Sequence, residues 1–301
     1  MPASEWMEIP VFIHGITPDP EPRTHDPDYD HLFELIQASL AEKGKPPFQE
    51  KSIRVEWGWD SNQTVQNDRY LAVTEKLVAE QAILIEQATP DFTLNPLRLV
   101  SPLLRRTFLY GFADLFYYVS SDGESAVRQN VFSHLVNQIF GREAYRSAKV
   151  SLTLMAHSAG SVIAHDLLYH LFRDEPSEVT MVNELRGQVK AGRLRIRRFY
   201  TFGSPITPLI FRTDALLLKL YKRELLDPAI LGLKLSDNLS NPRWVNFWDK
   251  DDIAAYPVAF LYQNDNGIVK DQYLDLGDDF PAVHLRYWTS KLLADHVAET
   301  F

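Results

Sequence analysis

Short apolar runs bounded by turn residues alternate along this chain with longer amphipathic stretches. The runs at residues 9–13, 52–57, 150–156, 197–202 and 244–248 predict five strands of a mostly parallel central sheet. The stretches between them predict helices on both faces, so the fold class is α/β. Near the end, FLYQNDNGIVKDQYLDLG sets residues 264–267 between two β-like runs. Asn and Gly tolerate positive φ, and the segment reads as a hairpin.

Three stretches are too apolar to be plain connections. Residues 66–88 follow a helical period through Leu71, Leu77, Val78, Leu84 and Ile85, and Pro90 stops them. Residues 102–119, PLLRRTFLYGFADLFYYV, form a second, aromatic-rich helix. Arg105, Arg106 and Asp114 interrupt it, and its apolar part is shorter than the ~20 residues that a membrane span requires. Residues 204–242 read as a helical cap or lid able to shape an apolar pocket.

The chemistry is concentrated in VSLTLMAHSAGSVIAHD, residues 150–166, where a strand-like run meets small-x-Ser-x-Gly and passes directly into a helix-like run. A serine at such a turn projects its hydroxyl above the sheet, and its neighbours must be small for strand and helix to meet. Ser158 is that serine, Ala156 and Gly160 are the small positions, and the Ala159 N–H at the helix start is a candidate oxyanion donor. A nucleophilic serine needs a base, and the base needs an acid to hold its tautomer. Where such an elbow is used, acid and then histidine follow the serine in chain order. The acidic loop after residue 248 offers Asp249, Asp251 and Asp252. Only His284 and His296 lie beyond it, and His296 sits on an amphipathic terminal segment, which favours His284. His157 precedes the serine and points away from it, while His14, His165 and His170 read as packing or hydrogen-bonding residues.

Taken together, FIHG, AHSAG, FYTFGSP, WDKDDIAAYP and AVHLRYW resemble the α/β-hydrolases of the lipase and esterase kind, and they span nearly the whole chain. The first small residue of the elbow is Ala156, where G-x-S-x-G is commoner. The resemblance implies a trimmed α/β-hydrolase fold, since no length precedes the first strand for the usual antiparallel pair. It implies Asp252, in DIAAY, as the acid and His284, in HLRYW, as the base, with Asp249 as rival acid. It also implies that the His14-Gly15-Ile16 turn supplies the second oxyanion donor through the Ile16 N–H. The expected activity is cleavage of carboxylic esters through an acyl-enzyme. A phospholipase, a thioesterase or a catalytically silent binding protein of the same fold are the alternatives.

Composition narrows the partners. The 301 residues, 45% apolar, suffice for one core, so 1–301 is read as a single domain with helical insertions at 61–120 and the cap at 204–242. A net charge of −9 argues against nucleic acid, and the absence of cysteine excludes a disulfide framework. The run from Leu185 to Arg198 carries six Lys and Arg residues and no acidic residue, reading as a solvated face or, alternatively, a site for an anionic partner such as a lipid headgroup. Asp26, Asp28 and Asp30 alternate without the rest of an EF-hand loop, and neither H-E-x-x-H nor a phosphate-binding glycine motif occurs. No cofactor or metal is expected. The partner is a small ester or lipid, with transient membrane-surface contact. The N-terminus lacks a basic segment followed by an apolar stretch, so a cytoplasmic location is expected.

Overall fold

A computed structural model describes residues 6–15, 25–55, 76, 132–139, 141, 145, 148–173, 180–209, 214–234, 239–279 and 282–301. The chain divides into two compact units. One comprises Met1–Gly15, His25–Glu56 and Arg128–Phe301, and the other comprises Ile16–Thr24 and Trp57–Val127. The second unit takes in the segment 61–120, and the helices expected at 66–88 and 102–119 lie outside the described residues apart from Lys76.

The first unit is built on a six-stranded, wholly parallel sheet: β1 (Trp6–Ile13), β2 (Ile53–Val55), β3 (Lys149–His157), β4 (Leu194–Phe202), β5 (Trp244–Trp248) and β6 (Val269–Tyr273), in the order β2-β1-β3-β4-β5-β6. Its α-helices are α1 (Asp26–Glu42), α2 (Ala159–Phe172), α3 (Thr180–Lys190), α4 (Ile206–Leu209), α5 (Asp214–Tyr221), α6 (Ala282–Leu285) and α7 (Lys291–Thr300), and residues 132–139 are also helical. Strand alternation assigns the two faces. Phe12, Met155, Tyr200, Phe202, Val245 and Phe247 pack with Tyr29, Leu32 and Ile36 of α1 and with Leu293 and Val297 of α7. The intervening residues Val11, Ile13, Leu154, Ala156 and Phe199 are equally buried on the other face, where α2 packs on β1 and β3. Pro10 lies inside β1 in register with Thr153 of β3, one residue before β2 begins to pair at Val11.

Two expectations are corrected. The residues 264–267 do form a turn, with Gly267 at φ +62° and its N–H bonded to the Asn264 carbonyl. The run before it is a 3-10 turn at Ala259–Leu261, however, and β6 pairs with β5 in parallel instead of closing a hairpin. The basic run is not a free solvated face either. Arg198 is 1% exposed and donates to the Thr300 carbonyl and Ser240 Oγ, and buried Arg186 donates to the His170 carbonyl. Arg195 and Arg197 both pair with Glu8. Burial, reinforced by these arginines, pulls the nearby Arg243 guanidinium down to about 10, and its donors are taken by the carbonyls of Ile196, Arg197 and Lys234.

Within 204–242 the described parts are α4, α5 and a 3-10 turn at Pro228–Leu231; α4 and that turn pack against α2. Leu226 forms a bridge to Tyr262, tying the segment to the connection between β5 and β6. Among the described residues, no helix is long and apolar enough to cross a membrane.

Candidate active site

β1 leads outward to β2 on one side, whereas β3 leads to β4, β5 and β6 on the other. The ends of β1 and β3 therefore border the point where strand order reverses, where open α/β sheets form their clefts. His14 and Gly15 follow β1 there, and Ser158 follows β3. Ser158 sits at φ 51°, ψ −130°, a conformation that costs a non-glycine residue ~1–3 kcal/mol and persists only when the surroundings over-determine it. They do so here. The Ser158 N–H donates to the Phe202 carbonyl at 3.0 Å, and the Ser158 carbonyl accepts both the Ser161 N–H at 2.9 Å and the Ser161 hydroxyl. Ser161 Oγ in turn meets buried Ser204 Oγ at 2.7 Å, so the loop after β4 braces the elbow from behind.

Gly160 shows why the elbow needs small residues. A Cβ there would overlap the His14 carbonyl oxygen and lie 2.6 Å from that of Ile13, both rigid backbone at the end of β1. Gly160→Ala should therefore lower stability by about 3 kcal/mol or more, an overpacking cost that backbone atoms cannot relax away. Urea unfolding at an unchanged m-value measures it, and a loss below ~0.5 kcal/mol would show that α2 is free to shift.

Opposite Ser158 stands His284, in α6. Its Nε2 is 2.9 Å from Ser158 Oγ, and its Nδ1 is 2.8 Å from Oδ2 and 3.0 Å from Oδ1 of Asp252. A carboxylate can only accept, so Nδ1 carries the proton and Nε2 is left to accept the serine hydroxyl hydrogen. The Asp252 side chain is fully buried, and its Oδ1 also accepts the Ala254 N–H at 3.0 Å. Burial, with the Asp252 carboxylate close by, pushes the Tyr287 hydroxyl above its ordinary pKa and keeps it neutral beside the acid. The sequence rival Asp249 is not in this chain of contacts: its oxygens accept the amides of Asp251 and Leu276, at 2.9 and 2.6 Å. Asp251 pairs with Lys250 at the surface.

The oxyanion side is described in part. Ala159 opens α2, so its N–H is one of the helix-terminal donors without a partner in the helix ladder. Ile16 lies outside the described residues. The turn before it is held by the His14 N–H, which donates to Tyr29 Oη at 2.9 Å while that hydroxyl donates to the Val55 carbonyl at 3.0 Å. The His14 ring stacks on His25 at 3.9 Å. Gly15 adjoins the nucleophile, since a Cβ there would lie 3.1 Å from Ser158 Oγ.

The remaining histidines separate. His165 bonds Tyr262 Oη at 2.6 Å, and His296 pairs with Glu299 on α7. His157 does turn from the serine, yet it reaches the base's main chain, with Nε2 2.7 Å from the His284 carbonyl oxygen. Sequence reasoning missed this contact and the supports at Ser161, Gly203 and Ser204. Gly203, at φ +60°, carried the one local signal, a glycine directly after a strand, and a Cβ on it would lie 3.1 Å from His284 Cε1. No protein-family model matches the chain and no curated protein sequence matches it significantly, so function must be argued from this geometry.

Proposed function

We propose that this protein is a serine hydrolase of carboxylic esters, an α/β-hydrolase of the esterase and lipase kind. The observation that carries the reading is the unbroken path Ser158 Oγ to His284 Nε2 to Asp252 Oδ2, with links of 2.9 and 2.8 Å. Ser158 Oγ attacks the ester carbonyl carbon as its proton passes to His284 Nε2, and the buried Asp252 carboxylate stabilises the imidazolium so formed. The carbonyl oxygen becomes an oxyanion facing the Ala159 N–H, with the Ile16 N–H as second donor on the strength of the family resemblance. Collapse breaks the bond to the alcohol, which takes its proton from His284 and leaves an acyl-Ser158 ester. Water, deprotonated by the same imidazole, then releases the acid and restores the serine.

An apolar acyl or alcohol part suits the surroundings. Ile253 and Leu285, next in sequence to the acid and the base, are 52% and 47% exposed. Segment 204–242 adjoins the site through α4, where Thr207 Oγ1 donates to the Pro257 carbonyl at 2.5 Å, and in this reading it serves as the cap. The mechanism needs no metal or cofactor.

A fluorophosphonate probe tests the reading, because it reacts only with a serine whose hydroxyl is activated by a working base and whose oxyanion site is formed. One equivalent of label on Ser158, absent from Ser158→Ala, is the expected result. A folded wild-type protein that takes up no label would identify a silent scaffold and overturn the proposal.

A further inference from the structure

We infer that His157 is a positioning residue that holds the base in reach of the nucleophile, by donating its Nε2–H to the backbone carbonyl of His284. This rests on the serine-hydrolase reading. Two neighbouring residues of the elbow thus grip one residue of α6 from different sides. Ser158 Oγ lies 2.9 Å from the His284 ring, and His157 Nε2 lies 2.7 Å from the His284 main chain. A carbonyl oxygen can only accept, so His157 carries its proton on Nε2.

The surroundings keep that bond intact. His157 is 3% exposed, and its ring lies 5.3 Å from Trp288, 5.4 Å from Phe202 and 4.6 Å from the His284 ring, centroid to centroid. Burial, with His284 as the next cause, holds its pKa well below the usual imidazole value. It therefore stays neutral, leaving His284 as the histidine that takes up charge during attack. Gly203 passes the two rings so closely that a Cβ would lie 3.2 Å from His157 Nε2, which keeps the clamp narrow. The placement also has a chemical reason. α6 is a single four-residue turn, too short to fix a side chain by its own hydrogen bonding, and the base must keep a 2.9 Å contact through two proton transfers.

The test compares His157→Gln, His157→Asn and His157→Leu. A glutamine amide reaches the place of Nε2, an asparagine amide only that of Nδ1, and leucine fills space without donating. With the hydrogen bond in control, kcat for an activated ester falls about 10²-fold in His157→Leu and His157→Asn at little-changed KM, the cost of a base misplaced by about 1 Å. His157→Gln recovers most of the loss, to within about fivefold of wild type on the same reasoning. Melting temperatures measured alongside identify a variant that loses its fold. A packing role alone gives the other ranking, with His157→Leu the best tolerated, and overturns the inference.

Imidazole nitrogen NMR on the wild-type protein supplies a measurement that no variant's folding can disturb. A neutral His157 protonated on Nε2 supports the bond, and one protonated on Nδ1 or charged at neutral pH refutes it. The underlying reading fails separately: a wild-type protein inert to fluorophosphonate removes the hydrolase, whereas a reactive wild type with an equally reactive His157→Leu removes only the clamp.

Discussion

Replacing Ser158 with alanine is expected to lower kcat for a p-nitrophenyl ester by ~10³-fold or more with the melting temperature nearly unchanged. The side chain loses one oxygen that bonds His284 Nε2, while the backbone bonds that hold the elbow, from Ser158 N–H to Phe202 and from Ser161 to the Ser158 carbonyl, remain. Alanine keeps the Cβ, so the strained φ is neither relieved nor worsened. His284→Ala should cost about as much, and the double variant little more than either, because nucleophile and base act as one unit whose losses do not add. Steady-state kinetics on folded variants checks this. Near wild-type turnover by Ser158→Ala would remove the serine from the mechanism.

The legible parts of this protein are those whose signals are local. β1, β3, β4 and β5 read correctly to within a few residues because strands buried on both faces are near-continuous apolar runs. The run that forms β6, VKDQY, read as β-like, but its pairing did not: it is an edge strand carrying Lys270, Asp271 and Gln272, as sheet edges commonly do, and it lies parallel to β5. Its Asn-Gly turn was visible, but a turn does not say which strand the following residues join. The basic run was misread for the same reason. What buries Arg198 is the Thr300 carbonyl, 102 residues away in the chain, and composition carries no trace of that acceptor.

The site divides in the same way. Ser158 and Gly160 were legible because a strand-to-helix turn imposes small residues at fixed spacing. His284 followed from chain order and from few competitors. Asp249, Asp251 and Asp252 lie within four residues of one another on one loop, and only their partners distinguish them: the distant Leu276 amide for one, the adjacent Lys250 for another, the distant His284 for the third. His157 looked idle because its acceptor is a main-chain oxygen 127 residues downstream.

That separation of the acidic residues makes a sharp prediction. Asp252→Asn should lower kcat by ~10⁴-fold, while Asp249→Asn leaves it within a few-fold of wild type. Asp252 Oδ1 accepts the Ala254 N–H, and an asparagine in its place keeps that bond by turning its oxygen toward Ala254. Its NH₂ then faces His284 Nδ1, which must become an acceptor, so the ring proton moves to Nε2 and the lone pair that should receive the serine proton disappears. Asp249 accepts two backbone amides, so Asp249→Asn sets an NH₂ against one of them and loses a buried hydrogen bond worth about 1–3 kcal/mol of stability without touching the base. The two substitutions therefore separate by assay: one protein with near-normal unfolding and almost no turnover, the other easier to unfold and still active. Equal losses of kcat from both, or a larger one from Asp249→Asn at full occupancy of the folded state, would move the acid's role from Asp252 to Asp249.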